Sequence, residues 1–306
     1  MTTPEHSQSL AAISNEYWQA RLANDPLFAT VLGDRRYDDQ LTDITPQGRA
    51  RVEREYESFL QRALAIHEGD LSTADQVTHD ALIIDLQAEL DHLRCHLEEW
   101  TVDPLGGPQV EFLNVESYQP VRTPDEGRSM SKRWRAMGSY LDSHIVNLQR
   151  GLDANKIAVR ACVEKVVEEI RDLEGRPDSE WALIRPLNVP HEDWTESQHE
   201  EFRKELTSAV AESVRPTLQR YLKFLETNLL PRARPQDHPG IMYLQDGGES
   251  YRRLIHVYTS LDLSPEEIHR IGLEEVKRIN LEMAALGGRV LGTQDRKEIL
   301  KRLRTD

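Results

Sequence analysis

Apolar residues recur at three- and four-residue steps along almost the whole chain, the spacing of one helical face. Leu10, Ile13, Tyr17 and Trp18 mark a first helix over residues 9–24, ended by Asp25-Pro26. Thr45-Pro46 opens a second, an N-cap followed by proline at the first helical position. It carries Val52, Tyr56, Phe59, Ala63 and Ile66 up to Gly69. Ser72 caps a third helix, expected to run to about Trp100. Residues 101–124 hold four prolines and two glycines and read as a long irregular connection. Trp134, Met137, Leu141, Ile145 and Leu148 then form a stripe that Gly151 is expected to close. Ile157, Ala161, Val166, Ile170 and Leu173 form another, ending at Gly175. Residues 175–194 read as a second irregular connection.

Thr195-Glu196-Ser197-Gln198 is a capping box opening a helical run to about Leu230, with a kink expected at Pro216. A short helix is expected over 248–259. Ser264-Pro265-Glu266-Glu267 combines a capping box with a first-turn proline. Ile268, Ile271, Val276, Ile279 and Met283 follow, up to Gly287-Gly288, and a last helix starts near Thr293. Alternating strand patterns are nearly absent, and no internal repeat is visible. The expected fold is all-α: one unit over residues 1–306, an array of long amphipathic helices with two long irregular connections.

Composition narrows the function. The net charge is -15, so a phosphate backbone is repelled and nucleic-acid binding is disfavoured, as is an anionic membrane surface. The opening MTTPEHSQSL has neither a basic nor an apolar region of a signal peptide. No apolar run approaches the roughly 20 residues that span a bilayer. Cys95 and Cys162 lack CxxC spacing and read as buried thiols in a reducing compartment. A soluble, cytoplasmic protein is expected.

Catalytic signatures are missing from the sequence. HExxH would place two histidines one turn apart around a water-activating glutamate. His67, His191 and His199 precede glutamates, yet none has the second histidine. GxSxG, a P-loop and a dinucleotide fingerprint are absent too. Three Glu-x-x-His pairs occur, Glu89/His92, Glu196/His199 and Glu266/His269, the spacing used by di-metal carboxylate bundles. The second and third sit in first helical turns, where glutamate already suits the helix dipole. His92 and His96 are one turn apart on an expected helix, without an identifiable third ligand. The turn Gly33-Asp34-Arg35-Arg36-Tyr37-Asp38-Asp39 reads as a salt-bridged surface feature.

Several segments together resemble a known family. The first is Tyr17-Trp18 and Asp25-Pro26 followed by Leu32 through Leu41, the second Gly107-Pro108-Gln109-Val110-Glu111-Phe112, and the third Tyr221 through Glu226 with Leu230-Pro231. The fourth and most specific is Tyr251 through Thr259-Ser260, then Leu263 through Val276. The chain is similar to the N-terminal half of the mostly bacterial domain-of-unknown-function 885 family, helical proteins similar to gluzincin-type zinc peptidases. The resemblance implies that zinc and its HExxH-type motif belong to the other half. No catalytic residue, metal ligand or cofactor is therefore assigned to this chain. Asp34, Arg36, Tyr37, Asp38, Gln109, Tyr251, Glu267 and His269 are family-motif positions of unassigned role. The family's paired threonines read Thr259-Ser260 here.

The resemblance implies one wall of a substrate cleft, with a peptide as substrate of the full-length form and no catalysis by this half alone. The competing expectations are a non-catalytic helical interaction module and, behind it, a metal-binding carboxylate/histidine bundle. Ile299, Leu300 and Leu303 share an apolar face at the C-terminal edge, to be covered by self-association or by a partner half.

Overall fold

The computed structural model describes residues 4–305. Met1–Thr3, the start of the segment read for a leader, and Asp306 lie outside the described residues. Among those described there are twelve α-helices and no strand, apart from one isolated bridge between Val159 and Arg234.

Helix α1 (Pro4–Asn24) runs into α2 (Pro26–Val31), which Asp25 caps through Phe28 N. α3 (Pro46–Leu64) starts at the Thr45 cap, and α4 (Thr73–Arg94) at Ser72. α4 stops six residues before Trp100. His96 takes a left-handed backbone (φ 46), and a tight turn, Leu97–Glu99, follows.

The 101–124 stretch is not irregular throughout. It contains α5 (Pro108–Tyr118). Gly107 and Pro108 are its N-cap and first residue, so the residues read as breakers mark a helix start instead. α6 (Pro124–Asp153) begins with a Thr123/Glu126 capping box and passes straight through Gly151. That glycine permits close packing: an added Cβ would lie 1.7 Å from the Glu99 carbonyl oxygen. α7 (Arg160–Glu174) follows. The 175–194 connection is ordered by buried Trp181 and by α6, where Trp134 Nε1 donates to the Leu183 carbonyl at 3.0 Å.

α8 (Glu196–Ala209) and α9 (Arg215–Phe224) are joined by a π-helical turn, Val210–Val214, and α9 continues into a second, Leu225–Leu229. The kink expected at Pro216 is thus taken up as a wide turn just before it. Such a turn makes room for a ring that would strike the preceding carbonyl. α10 (Gly247–Thr259) leads to α11 (Pro265–Val290), capped by Ser264 and Glu267, and then to α12 (Arg296–Thr305). α11 runs past Gly287-Gly288. Gly287 lets α12 approach, since a Cβ there would meet Ile299 Cδ1 at 2.3 Å.

Two apolar clusters result. One gathers Leu10, Ile13, Tyr17, Tyr56, Phe59, Leu82, Leu86 and Leu90 from α1, α3 and α4. The larger is built around Trp134, Met137, Leu141 and Leu148 of α6, with α5, α7, α8 and α9 packed about it. Cys95 is buried as expected, whereas Cys162 is only half-buried.

Candidate functional site

The family-motif residues fall at four places rather than one. In the turn after α2, Asp34 caps Arg36 N and holds the Arg36 guanidinium, which also reaches Gln19 at 2.7 Å. Arg36 stands over the Tyr37 ring. Asp38 is buried, so the reading of a purely superficial turn fails there. Its carboxylate accepts from Thr30 Oγ1 at 2.8 Å and faces Arg35 Nε at 2.6 Å and Arg133 at 3.8 Å. Arg133 of α6 ties the whole turn down. Its fully buried guanidinium donates to the carbonyls of Gln40, Tyr37 and Pro26, to Thr30 Oγ1 and to Gln119 Oε1. This part of the signature is a structural joint.

Gln109 is buried in the first turn of α5, where its amide donates to the Asp103 carbonyl at 2.9 Å and to Glu169 at 3.3 Å. Tyr251 lies exposed on α10. Glu267 serves the Ser264 capping box, which holds its carboxyl below the usual range first through the Ser264 backbone N–H and then its hydroxyl. His269 is exposed on the opening turns of α11.

The histidine pairs have other partners. Glu89 is bound to Arg21 at 2.7 Å, and His199 Nε2 lies 3.1 Å from the His191 carbonyl oxygen. Because α4 ends at Arg94, His92 and His96 do not share a helical face, and the expected one-turn pairing is lost. The end of α4 instead brings together His96, Glu98 and Glu99, with ligand atoms all within 4.8 Å of one another. The run His-x-Glu-Glu was the available signal in sequence.

This trio does not fit zinc. Glu98 is taken by Arg49 at 2.7 Å, and Glu99 by Arg150 at 3.0 Å and Lys156 at 3.8 Å. A cation entering there would have to displace three others. Protein soaked in zinc and desalted is therefore expected to retain no stoichiometric metal by elemental analysis. One zinc per chain, lost in His96→Ala, would refute this.

A further candidate site is a cavity of about 480 Å³ bounded by α1, α3, α4, α10 and the segment 42–44. Four carboxylates line it, Asp25, Asp43, Asp85 and Glu89, with two arginines, Arg21 and Arg49. Both arginines are committed. Arg21 is shared by Glu89 and Asp85, and Arg49 is held by Glu98, outside the wall. Tyr17 donates to Asp85 at 2.5 Å, and burial followed by that bond raises its phenol strongly. Burial and then Glu89 push Tyr56, also on the wall, up to about 12.

Asp25 and Asp43 cap backbone turns, and neither has an ion-pair partner among the described residues. Asp43 is folded over Gly48, where a Cβ would sit 2.2 Å from its Cγ. Surrounding atoms, and then the charge on Asp25, also raise the Glu111 carboxyl of α5. His92 and Tyr258 stand on the wall with apolar Val52, Leu93 and Val257. The cavity is electronegative and partly aromatic. Its residues are scattered from position 21 to 258, so no local motif revealed it.

The fold and site define an all-helical protein with a negatively charged cleft. The chain belongs to the family described as bacterial protein of unknown function (DUF885), which it matches over residues 26–306. A crystal structure from Colwellia psychrerythraea, described as a lipoprotein, shares the fold with a TM-score of 0.81 at 19% identity. The similarity covers 95% of this chain and 52% of that one, so this chain spans about half the length of its neighbour. No curated protein matches. No helix among the described residues is long and apolar enough to cross a membrane.

Proposed function

We propose that this chain is the cleft-wall half of a zinc-peptidase-like protein and that its electronegative cavity receives the positively charged end of a peptide. The observation that carries the reading is the pair Asp25 and Asp43, unpaired carboxylates on the wall of a cavity whose arginines are both engaged. An ammonium group gains there from charge and from the rings of Tyr56 and Tyr258. Asp25 and Tyr258 lie within two of the family-like segments, and the half-length match to the Colwellia fold supports a second half elsewhere. Zinc chemistry is assigned to that second half, since Glu98 and Glu99, the carboxylates that converge on His96, already face arginine and lysine. The free thiols Cys95 and Cys162 support a cytoplasmic location, against the lipoprotein description of the neighbour.

Calorimetric titration of the whole chain with a short peptide, free or acetylated at its N-terminus, tests the reading. The free amine is expected to bind at least about tenfold tighter, roughly 1.4 kcal/mol. The preference should vanish in Asp25→Asn/Asp43→Asn and fade above about pH 8 as the α-amine loses its proton. Equal affinity for the two peptides, or none for either, removes the proposal and leaves the non-catalytic interaction module.

A further inference from the structure

The electronegative cavity changes character along its length. α3 and α4 run antiparallel. Arg49, near the start of α3, donates to the Leu93 carbonyl at the end of α4, and His79 Nε2, near the start of α4, lies 2.9 Å from the Ala63 carbonyl oxygen at the end of α3. The wall residues therefore fall in order. Asp43, folded over Gly48, stands at the end that holds Arg49 and Leu93. Val52 lies one turn along α3 from Arg49, and Tyr56 a turn beyond it. Tyr56 marks the far end, where its ring meets Tyr17 at 5.4 Å and Tyr17 donates to Asp85. Arg21 joins Asp85 to Glu89 there. Leu93 is eight residues after Asp85 on α4, about 12 Å away along the axis.

Beside Asp43 the wall is apolar. Val52, Leu93 and Val257 of α10 are each half-buried, and Tyr258 next to them is 78% exposed. This wall is fixed in place. Arg253 Nη1 donates to the Asp91 carboxylate at 3.1 Å, and His256 Nδ1 lies 3.0 Å from its other oxygen, so α10 is tied to α4 immediately before Val257. A wall already ordered spares a ligand the cost of ordering it.

These neighbours select the side chain next to the bound amine. With the terminal ammonium held by Asp25 and Asp43, the first side chain starts from the Asp43 end and meets Val52, Leu93 and Val257. A carboxylate placed there would join four others, and both arginines are engaged. A second ammonium would have to cross to Asp85 and Glu89, which Arg21 already holds. We propose that the cavity takes peptides whose first residue carries an aliphatic side chain, such as leucine or valine. This substrate class rests on the amine-binding reading of the same cavity and narrows it.

Calorimetric titration of the whole chain with Leu-Gly-Gly, Gly-Gly-Gly, Lys-Gly-Gly and Glu-Gly-Gly tests it. Leu-Gly-Gly is expected to bind at least about tenfold tighter than each of the others, because its first side chain alone is wholly apolar and leaves water for an apolar wall. Val257→Asp is expected to reverse the order of the leucine and lysine peptides. Tyr258→Ala should narrow the leucine preference at an unchanged melting temperature, since its ring is exposed. Acetyl-Leu-Gly-Gly separates this claim from the amine site. Four free peptides that bind alike, with acetylation still weakening the leucine one, would overturn the side-chain assignment and leave the amine site standing. Acetylation without effect would remove the amine site and the side-chain assignment with it. A lysine peptide at least as tight as the leucine peptide, or an order unchanged in Val257→Asp, would overturn the assignment as well.

Discussion

Replacing Arg133 with methionine is expected to lower stability by roughly 3–5 kcal/mol, the cost of removing one partner from a buried ion pair. The side chain is 0% exposed and donates to five acceptors, the shortest contact being 2.6 Å to the Tyr37 carbonyl. Burial pulls its guanidinium down to about 10, and Asp38 works against that pull. Methionine fills similar space but leaves Gln119 Oε1 and the Gln40 carbonyl without a donor, takes one of two donors from the Pro26 and Tyr37 carbonyls, and leaves Asp38 with Arg35 as its remaining cation. Arg133→Lys keeps the charge and loses the planar fork, so it should fall between the two. Urea denaturation of the three proteins measures this. A methionine variant within about 0.5 kcal/mol of wild type, the range of an ordinary surface change, would mean that the network contributes nothing net.

The second expected result is acid destabilisation through His144. Its ring is buried on α6 with Nε2 3.3 Å from the Tyr221 hydroxyl, and the two rings meet edge to face at 5.3 Å. Burial lowers the imidazole from 6.5 to about 4, with Glu98 pulling the other way. A base depressed in the folded state favours unfolding as protons are added. The stability is therefore whole above pH 6.5 and is lost as pH falls from there towards 4. The full loss corresponds to about 3 kcal/mol. Urea midpoints at neutral pH and near pH 4.5 should differ more in wild type than in His144→Gln, which carries no titrating ring. Identical pH dependence in the two proteins would show that the acid sensitivity arises elsewhere.

These two residues also mark where the sequence stops being informative. The helix starts at Thr45-Pro46, Ser72, Thr195 and Ser264 are readable because a cap is local chemistry: an oxygen and a backbone N–H three residues on. α5 was hidden for a related reason. Gly107-Pro108 has the same composition whether it breaks a chain or begins a helix, and only the packing of Phe112 and Val115 decides. Arg133 stands among Lys132 and Arg135 and looks like any solvated charge. Four of its five acceptors, three of them carbonyls, lie about a hundred residues away in sequence. The turn at 33–39 was half legible: Asp34 and Arg36 do form a surface pair, while Asp38 points inward. The cavity is the least legible feature, since its two unpaired carboxylates look locally like nothing more than turn caps.

The paired wide turns at Val210–Val214 and Leu225–Leu229 bear on chain length. The buried positions Leu206, Val210, Val214 and Leu218 follow one another by four. On a regular α-helix each such step overshoots a full turn by about 40°. A π turn holds one residue more than an α turn and absorbs that excess, so Tyr221 still meets His144. Shortening the chain by one residue within either turn would restore ordinary winding and leave everything downstream facing the same neighbours. Relatives can therefore differ by single-residue gaps at these two places without any change of core, and an alignment that penalises such gaps would misplace α9.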